Sequence, residues 1–221
     1  MKEITTILLD IDGTVLDTRD FIMEAAEYTL LKFGHNVPTR SVIAKNVGKK
    51  FPDFHFALTG SNKDVDKFIE VYRNFQIKNY HLSKIFPNCL ETLKKLKKKG
   101  YYLLAISHSP KGIVDPFAKR LGFDKVYGMF YELGPTDKFN GKIADEHLIR
   151  NKANILRRAV AKENLTLKGS IGVGDTEGDI PVFELVETPI CFNPNMTLYR
   201  HAKRNKWKIV VERKDVIYEL N

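Results

Sequence analysis

The sequence predicts an α/β protein in which a doubly wound parallel sheet carries a small helical domain inserted after the first strand. Unbroken apolar runs, typical of strands buried on both faces, occur at residues 4–9, 101–106 and 170–174. Segments with apolar residues at helical spacing lie between the later runs, and this alternation favours parallel pairing. The insertion is predicted because residues 17–83 show helical patterns only.

Each of these strand-like runs ends at a polar residue. In chain order, these residues are Asp10, Ser107 and Asp175. Ligands of doubly wound sheets bind beyond the carboxyl ends of the strands. The sequence therefore predicts one site shared by the three strand ends. Two weaker runs, at residues 189–192 and 208–211, are predicted to extend the sheet.

Helices are predicted where apolar residues recur every three or four positions. In the core these positions are Leu90, Leu93 and Leu96, then Ile155, Leu156, Ala159 and Val160, then Val182, Phe183, Leu185 and Val186 behind Pro181. In the insertion they are Phe21, Ala25, Tyr28 and Leu31, then Val65, Phe68, Ile69 and Tyr72. The predicted domains are a core of residues 1–16 and 84–221 and a cap of residues 17–83. The cap is interpreted as a lid over the strand ends, and the alternative is a set of helices packed rigidly on the core.

The composition indicates a soluble globular chain, with 43% hydrophobic and 29% charged residues. The net charge of +9 is concentrated in residues 94–99 and 203–208, where solvated helix faces are favoured over a nucleic-acid footprint. No apolar run approaches the ~18 residues that would span a membrane. Two cysteines are too few for a disulfide framework. We expect a cytoplasmic protein without a membrane or nucleic-acid partner.

The motif DIDGT at residues 10–14 carries the strongest chemical signal. Two carboxylates separated by one residue, directly after a buried strand, can point the same way. One can attack phosphorus as a nucleophile, and the other can exchange a proton with the departing oxygen. Gly13 allows an unusual backbone turn. The alternative is an acidic turn that closes a strand, because Asp and Gly are common turn residues.

This motif resembles the hallmark of the haloacid dehalogenase superfamily, whose core is Rossmann-like. Ser107, Lys152 and the GDTEGD segment at residues 174–179 are similar to the other motifs of that family and follow in its order. Residues 107–117 resemble its phosphoserine phosphatase-like branch (subfamily IB-like). The resemblance implies a Mg²⁺-dependent phosphatase that acts on a small phosphorylated metabolite through an aspartyl-phosphate.

The resemblance also implies a role for each catalytic and metal-binding residue. Asp10 would be the nucleophile, Asp12 the general acid and base, and Lys152 the neutralising cation. Asp10, Asp12 through its backbone carbonyl, and Asp175 would bind Mg²⁺. Asp179 would hold Lys152 or a metal-bound water.

The phosphate group has its own implied contacts, which are Ser107, the backbone N–H of His108, Gly13 and Thr14. Lys142 is a rival for the role of Lys152, which is favoured because it falls within a predicted helix. Gly178 stands where many relatives carry Asn or Ser, and this departure weakens inference about the outer metal shell. The candidates for substrate contacts in the cap are Arg19, Arg40 and Arg73, so phosphoserine is not assigned.

Two other functions stay open. A phosphomutase would use the same Asp12, and release of inorganic phosphate would separate it from a phosphatase. A non-catalytic regulatory or nucleic-acid-binding protein is the second, and it is disfavoured because Asp10, Asp12, Lys152 and Asp175 are all present.

Overall fold

The structure is a computed structural model that describes residues 4–47, 49, 51–134, 139–145, 151–213 and 216–220. The chain forms two compact units. Unit 1 comprises the described residues of Met1–Leu16, Ile85–Tyr131 and Ile143–Asn221, and unit 2 those of Asp17–Lys84 and Glu132–Lys142. Unit 2 thus takes in a second segment, Glu132–Lys142, that the sequence-based division assigned to the core.

The strands are, in chain order, β1 (Ile4–Leu9), β2 (Leu16–Asp17), β3 (Lys84–Ile85), β4 (Tyr102–Pro110), β5 (Lys125–Met129), β6 (Tyr131–Leu133), β7 (Phe139–Ile143), β8 (Leu165–Gly174), β9 (Thr188–Phe192), β10 (Lys208–Arg213) and β11 (Val216–Leu220). The helices are α1 (Arg19–Lys32), α2 (Arg40–Asn46), α3 (Phe51–Thr59), α4 (Val65–Asn79), α5 (Cys89–Lys98), α6 (Lys111–Leu121), α7 (Lys152–Glu163), α8 (Ile180–Phe183) and α9 (Met196–Asn205). Short 3₁₀ turns cover Tyr80–Leu82 and Glu177–Asp179.

The described residues of unit 1 form a seven-stranded sheet in the order β11-β10-β9-β8-β1-β4-β5. All neighbouring strands pair in parallel except β11, which runs antiparallel to β10. Two further sheets among the described residues have two strands each, β2-β3 and β6-β7. The predicted α/β class with a mostly parallel sheet is therefore confirmed.

Strand β1 is an interior strand of the sheet, between β8 and β4, and is buried on both faces, as its apolar run predicts. Leu8 belongs to one core cluster with Leu104. Ile7 and Leu9 belong to a second cluster with Leu103. Because successive side chains of a strand point to opposite faces, the run fills the core on both sides of the sheet.

Several element ends differ from the prediction. Strand β4 continues to Pro110, past the predicted end at Ser107, and β8 begins at Leu165. Helix α8 is a single turn ending at Phe183, so Leu185 and Val186 lie outside it although they were predicted within it. Strands β5 and β11 were not predicted, because β5 mixes polar with apolar residues and β11 is an exposed edge strand.

Unit 2 has an apolar core of its own between its helices. Met23, Ala26 and Leu30 of α1 share this core with Phe68 and Tyr72 of α4 and with its other members. The predicted buried stripe of α1 is wrong in part, because Tyr28 is 44% exposed and Leu31 66% exposed. Phe21 and Ala25 of the predicted stripe are buried, and the other buried residues of α1 are Met23, Ala26, Thr29 and Leu30.

The lysine-rich stretch on α5 is a solvated face. Leu93 is buried, whereas Lys94, Lys95 and Lys98 around it are exposed. Lys95 pairs with Glu91 one helical turn away at 2.7 Å. Among the described residues, no helix combines the length and the apolar character that crossing a membrane requires.

Candidate active site

The three strands whose ends were predicted to share a site are neighbours in the sheet. β1 pairs with β8 on one side and with β4 on the other. Directly after β1, the backbone N–H of Asp10 donates to the carbonyl of Val173 at 2.9 Å. The chain after each strand therefore emerges at the same edge of the sheet.

A tight turn follows Asp10 and carries the DIDGT motif. The carbonyl of Ile11 accepts hydrogen bonds from Val15 and Leu16, each at 2.9 Å. Gly13 has φ +75°, and a β-carbon there would lie 2.2 Å from Oδ2 of Asp175. Glycine is required at this position because it adopts the left-handed conformation and leaves room for that carboxylate.

The buried ammonium group of Lys152 bridges the carboxylates of Asp10 and Asp179. It is the first residue of α7, and the side chain of Asn151 caps this helix by accepting from the N–H of Ala153. The Lys152 Nζ donates to Oδ1 of Asp10 at 2.8 Å and to Oδ1 of Asp179 at 2.6 Å. The side chains of Lys152, Asp10 and Asp179 are 3%, 8% and 2% exposed.

Asp179 also shapes the turn that holds Asp175. Its Oδ2 accepts hydrogen bonds from the backbone N–H of Asp175 at 3.1 Å and of Thr176 at 3.2 Å. A β-carbon at Gly174 would lie 2.3 Å from the same oxygen, so only glycine permits this approach. One carboxylate therefore fixes both the Asp175 turn and the Lys152 ammonium group.

The Asp12 carboxylate has a different environment, formed by two hydroxyl groups. Its Oδ2 accepts from Ser107 Oγ at 3.0 Å and from Ser109 Oγ at 2.7 Å. Sequence reasoning found Ser107 but missed Ser109. The available signal was the i, i+2 spacing, which puts both side chains on one face of a strand.

The site is short of positive charge. Burial raises the pKa of Asp10 to about 7, opposed by Lys152 and reinforced by Asp179 and Asp12. Burial and the charge of Asp10 likewise raise the pKa of Asp175. Burial lowers the pKa of Lys152, but Asp10 and Asp179 outweigh it and hold that pKa above its ordinary value. These carboxylates would be stabilised in their charged form by an added cation.

The oxygen atoms at this edge fit a divalent cation. Asp10, Asp175 and Asp179 each offer a carboxylate oxygen, and these oxygens lie within 4.8 Å of one another. Oδ1 of Asp175 is buried without a hydrogen-bond partner among the described residues. Hard carboxylate oxygens suit Mg²⁺, which usually keeps several waters. The Asp12 side chain is outside this group, and its predicted backbone ligand stays a prediction.

The predicted phosphate contacts surround the same turn. Ser107 is buried, and Thr14 is buried with its Oγ1 lacking a hydrogen-bond partner among the described residues. His108 is exposed, and its ring lies 3.5 Å from where a β-carbon at Gly178 would stand. The side chain of Lys142, the predicted alternative to Lys152 as the neutralising cation, lies outside those described.

Comparison with known families identifies the class of protein. Residues 7–184 match the family of haloacid dehalogenase-like hydrolases, which is most of the chain. The chain belongs to this family. The superfamily predicted from DIDGT, Ser107, Lys152 and GDTEGD is therefore confirmed, as is an enzyme of the hydrolase class.

Similar individual proteins carry several phosphatase names. A plasmid phosphoglycolate phosphatase of Cupriavidus necator is 23% identical over 85% of this chain and 79% of its own length. The pyrophosphatase PpaX of Bacillus mycoides is 24% identical over 80% and 78%. A histidinol-phosphatase of Neisseria meningitidis is 26% identical over 72% and 73%.

Solved structures share the fold over almost the whole chain. The haloacid dehalogenase-like hydrolase SP0104 of Streptococcus pneumoniae has a TM-score of 0.72 at 20% identity and covers 96% of both chains. A phosphoserine phosphatase with an analogue of its phospho-aspartyl intermediate has a TM-score of 0.65 at 23% identity, covering 97% of this chain and 96% of its own. At these identities the likeness is one of fold.

Proposed function

We propose that this chain, a phosphatase of the haloacid dehalogenase-like family, hydrolyses a small-molecule phosphate monoester through an aspartyl-phosphate on Asp10, with Mg²⁺ as cofactor. The observation that supports this most is the buried contact of Lys152 with Asp10 and Asp179. A buried lysine held between two carboxylates at the carboxyl ends of the strands places positive charge where a phosphoryl group needs it.

The first step is an attack by Asp10 on phosphorus. An oxygen of its carboxylate forms a bond to phosphorus, and the bond from phosphorus to the ester oxygen breaks. The electron pair of that bond stays on the departing oxygen, which takes a proton from Asp12. Asp12 suits this role because its carboxylate is held by Ser107 and Ser109 and has no described ion pair with Lys152.

The second step returns the enzyme to its starting state. Asp12, now a carboxylate, removes a proton from water as the water oxygen bonds to phosphorus. The bond between phosphorus and the Asp10 oxygen breaks, and its electron pair returns to the carboxylate. The products are an alcohol and inorganic phosphate, and one water is consumed.

Charge stabilisation must supply most of the rate. Two like unit charges ~4 Å apart repel by about 4 kcal/mol at an effective dielectric of ~20. A carboxylate that approaches a phosphate dianion meets this repulsion twice. General acid–base help contributes only ~10²–10⁴-fold in rate. Lys152 offsets part of the repulsion, and Mg²⁺ held by Asp10, Asp175 and either the Asp12 carbonyl or Asp179 would supply two further positive charges.

Phosphate binding is assigned to groups around the turn. Ser107 Oγ, the N–H of His108 and the turn at Gly13 and Thr14 would hold the phosphoryl oxygens. Support comes from Thr14, whose buried Oγ1 has no partner among the described residues and could donate to a phosphoryl oxygen.

Substrate choice is proposed to come from unit 2. The relatives are named for different phosphorylated compounds, so the shared core chemistry does not fix the substrate. Deleting residues 17–83 across a short linker should reduce discrimination between substrates more than it reduces activity on a small, reactive phosphate ester. Unchanged selectivity would contradict a role for unit 2 as a selective cap.

A phosphate-release screen tests the proposed function. Phosphorylated sugars, amino acids, nucleotides and short acids are incubated with the protein and Mg²⁺, and inorganic phosphate is measured. We expect release from at least one compound, loss of release in Asp10→Asn, and full release in Asp66→Asn, which alters an exposed aspartate of α4. An isomerised phosphate ester without free phosphate would indicate a phosphomutase, and full activity of Asp10→Asn would contradict the proposal.

A further inference from the structure

We propose that Ser109 is the positioning residue for Asp12 and holds this carboxylate in place while the substrate is bound. This inference rests on the acid–base role proposed for Asp12. The geometry behind it is that two hydroxyl groups converge on one oxygen of Asp12, with Ser107 at 3.0 Å and Ser109 at 2.7 Å.

The two serines cannot have equal roles once a phosphate is bound. A serine hydroxyl has one proton to donate. Ser107 Oγ donates it to Asp12 here, and the same oxygen accepts from the backbone N–H of Ser109 at 2.9 Å. If Ser107 turns its proton to a phosphoryl oxygen, its bond to Asp12 is lost. Ser109 then supplies the remaining hydroxyl bond that fixes Asp12.

The backbone around Ser109 is held in place by close packing. The pairing of β4 with β5 is irregular between Ile106 and Pro110, which is the stretch that carries both serines. A β-carbon at Gly128 of β5 would lie 3.0 Å from the carbonyl oxygen of Ser109 and 2.9 Å from Cα of Lys111. Gly128 therefore lets β5 approach this segment closely, and the Ser109 hydroxyl belongs to backbone that is packed against β5.

The bond pattern leaves Asp12 suited to proton transfer. Both serine hydroxyls bind Oδ2, so the described hydroxyl bonds leave Oδ1 available to the departing oxygen and later to water. Loss of the Ser109 hydroxyl would let the carboxylate rotate during the steps in which Ser107 is engaged elsewhere. The proton transfer would slow, whereas phosphate binding would change little.

The test compares two leaving groups in Ser109→Ala. An alkyl phosphate needs a proton on its departing oxygen, whereas p-nitrophenyl phosphate has a leaving group that departs without one. We expect single-turnover phosphorylation of Asp10 by the alkyl phosphate to slow about tenfold, the factor that one hydrogen bond supports when its acceptor becomes charged as the proton leaves Asp12. With p-nitrophenyl phosphate the loss should be about threefold or less, and for both substrates the concentration that gives half the maximal phosphorylation rate should stay near that of the wild type.

Three further variants separate positioning from general damage. Ser109→Thr keeps the hydroxyl group and should restore most of the rate with the alkyl phosphate. Ser109→Cys keeps the size but donates weakly, so it should behave like Ser109→Ala and replaces it if the alanine variant does not fold. Ser107→Ala should instead raise KM for both substrates. Equal losses with both leaving groups, or an unchanged rate with the alkyl phosphate, would overturn the proposal.

A crystal structure of Ser109→Ala with a bound phosphate analogue gives a readout that does not depend on turnover. We expect the Asp12 carboxylate in more than one orientation there and in a single orientation in the wild type. One unchanged orientation in both would overturn the role of Ser109. If the wild-type protein releases phosphate from no compound, the proposed function fails, and this crystallographic comparison still decides whether Ser109 positions Asp12.

Discussion

Gly13 lies so close to Asp175 that a β-carbon at position 13 would stand 2.2 Å from the Asp175 Oδ2 atom. The turn after Asp10 and the turn after β8 therefore pack so closely that position 13 has no room for a side chain. The φ of +75° at Gly13 adds a second reason for glycine. These two effects can be separated by experiment.

Gly13→Ala should destabilise the protein and abolish most of its activity. The left-handed conformation alone costs a non-glycine residue about 1–3 kcal/mol. Displacement of Asp175 adds to this loss. The free energy of unfolding is measured by denaturant titration, with Gly34→Ala as the matched control. Gly34 has φ +71° but nothing within 4 Å of its ideal β-carbon, so equal losses in both variants would contradict the contact with Asp175.

Lys152→Met should lower kcat by ~10²–10³-fold, the range for removal of one group that stabilises transition-state charge, and should destabilise the fold at neutral pH. Removing one partner from a buried ion pair typically costs about 3–5 kcal/mol, because the other charge stays buried. Two carboxylates, Asp10 and Asp179, would lose their partner here. The free energy of unfolding at pH 5 and pH 7 is the measurement, and the loss should be smaller at pH 5, where Asp10 can protonate.

Lys162→Met is the control for that experiment. Lys162 lies in the same helix, α7, but is exposed. The free energy of unfolding of this variant should change by no more than about 0.5 kcal/mol, and its kcat should stay near that of the wild type. Equal effects at both positions would show that the helix, and not the ion pair, is responsible.

The stability of the metal-free protein should fall as pH rises. The folded protein raises the pKa of Asp10 from 3.8 to about 7, so it binds that proton more tightly than the unfolded chain does. Stability from this group is present below pH ~4 and is lost as pH rises toward 7. Asp175, whose pKa is also raised, acts in the same direction. Unfolding curves from pH 4 to 8 with a chelator measure this slope.

Adding Mg²⁺ should flatten that decline. The metal binds the ionised carboxylates, so it stabilises the folded protein more at pH 8 than at pH 5. The increase in melting temperature between chelator and Mg²⁺ is compared at the two pH values. An increase that is the same at both, or none at either, would contradict a divalent site at Asp10 and Asp175.

Asp12→Asn should slow hydrolysis of an alkyl phosphate by ~10²–10⁴-fold, the range of general acid–base catalysis. The second step also needs Asp12, so p-nitrophenyl phosphate should phosphorylate the variant and then stop after one equivalent of p-nitrophenol. Rapid mixing measures this burst. Full steady-state activity of Asp12→Asn would refute its role.

The sequence predicted the central strands and their polar ends because these depend on local patterns. The apolar run of β1 and the residues after it, Asp10 and Asp12, can be recognised without knowledge of neighbours. Ser109 was not assigned, because its contact with Asp12 joins residues 97 positions apart and the only local signal was its i, i+2 spacing from Ser107. The buried face of α1 was predicted incorrectly at Tyr28 and Leu31, since the packing of neighbouring helices determines which apolar side chains a helix buries.

Other features were not predicted for the same reason, which is that they depend on contacts and exposure in the folded chain. Strand β11 carries four large apolar residues on an exposed sheet edge, where no burial pattern marks it. Gly174 was read only as part of a motif, whereas its contact with Asp179 depends on how the following turn folds back. The order of the motifs identified the family. The hydrogen bonds that give each carboxylate a different environment could be assigned only from the structure.

The most direct test of the account is detection of phosphate on Asp10. The wild-type protein is mixed with its substrate and Mg²⁺, quenched in acid within the first turnover, digested, and analysed by mass spectrometry. We predict that the peptide containing Asp10 carries one phosphoryl group on that residue, and that the adduct is absent from Asp10→Asn and persists longer in Asp12→Asn. Release of phosphate with no adduct on Asp10 at any quench time would contradict the central claim.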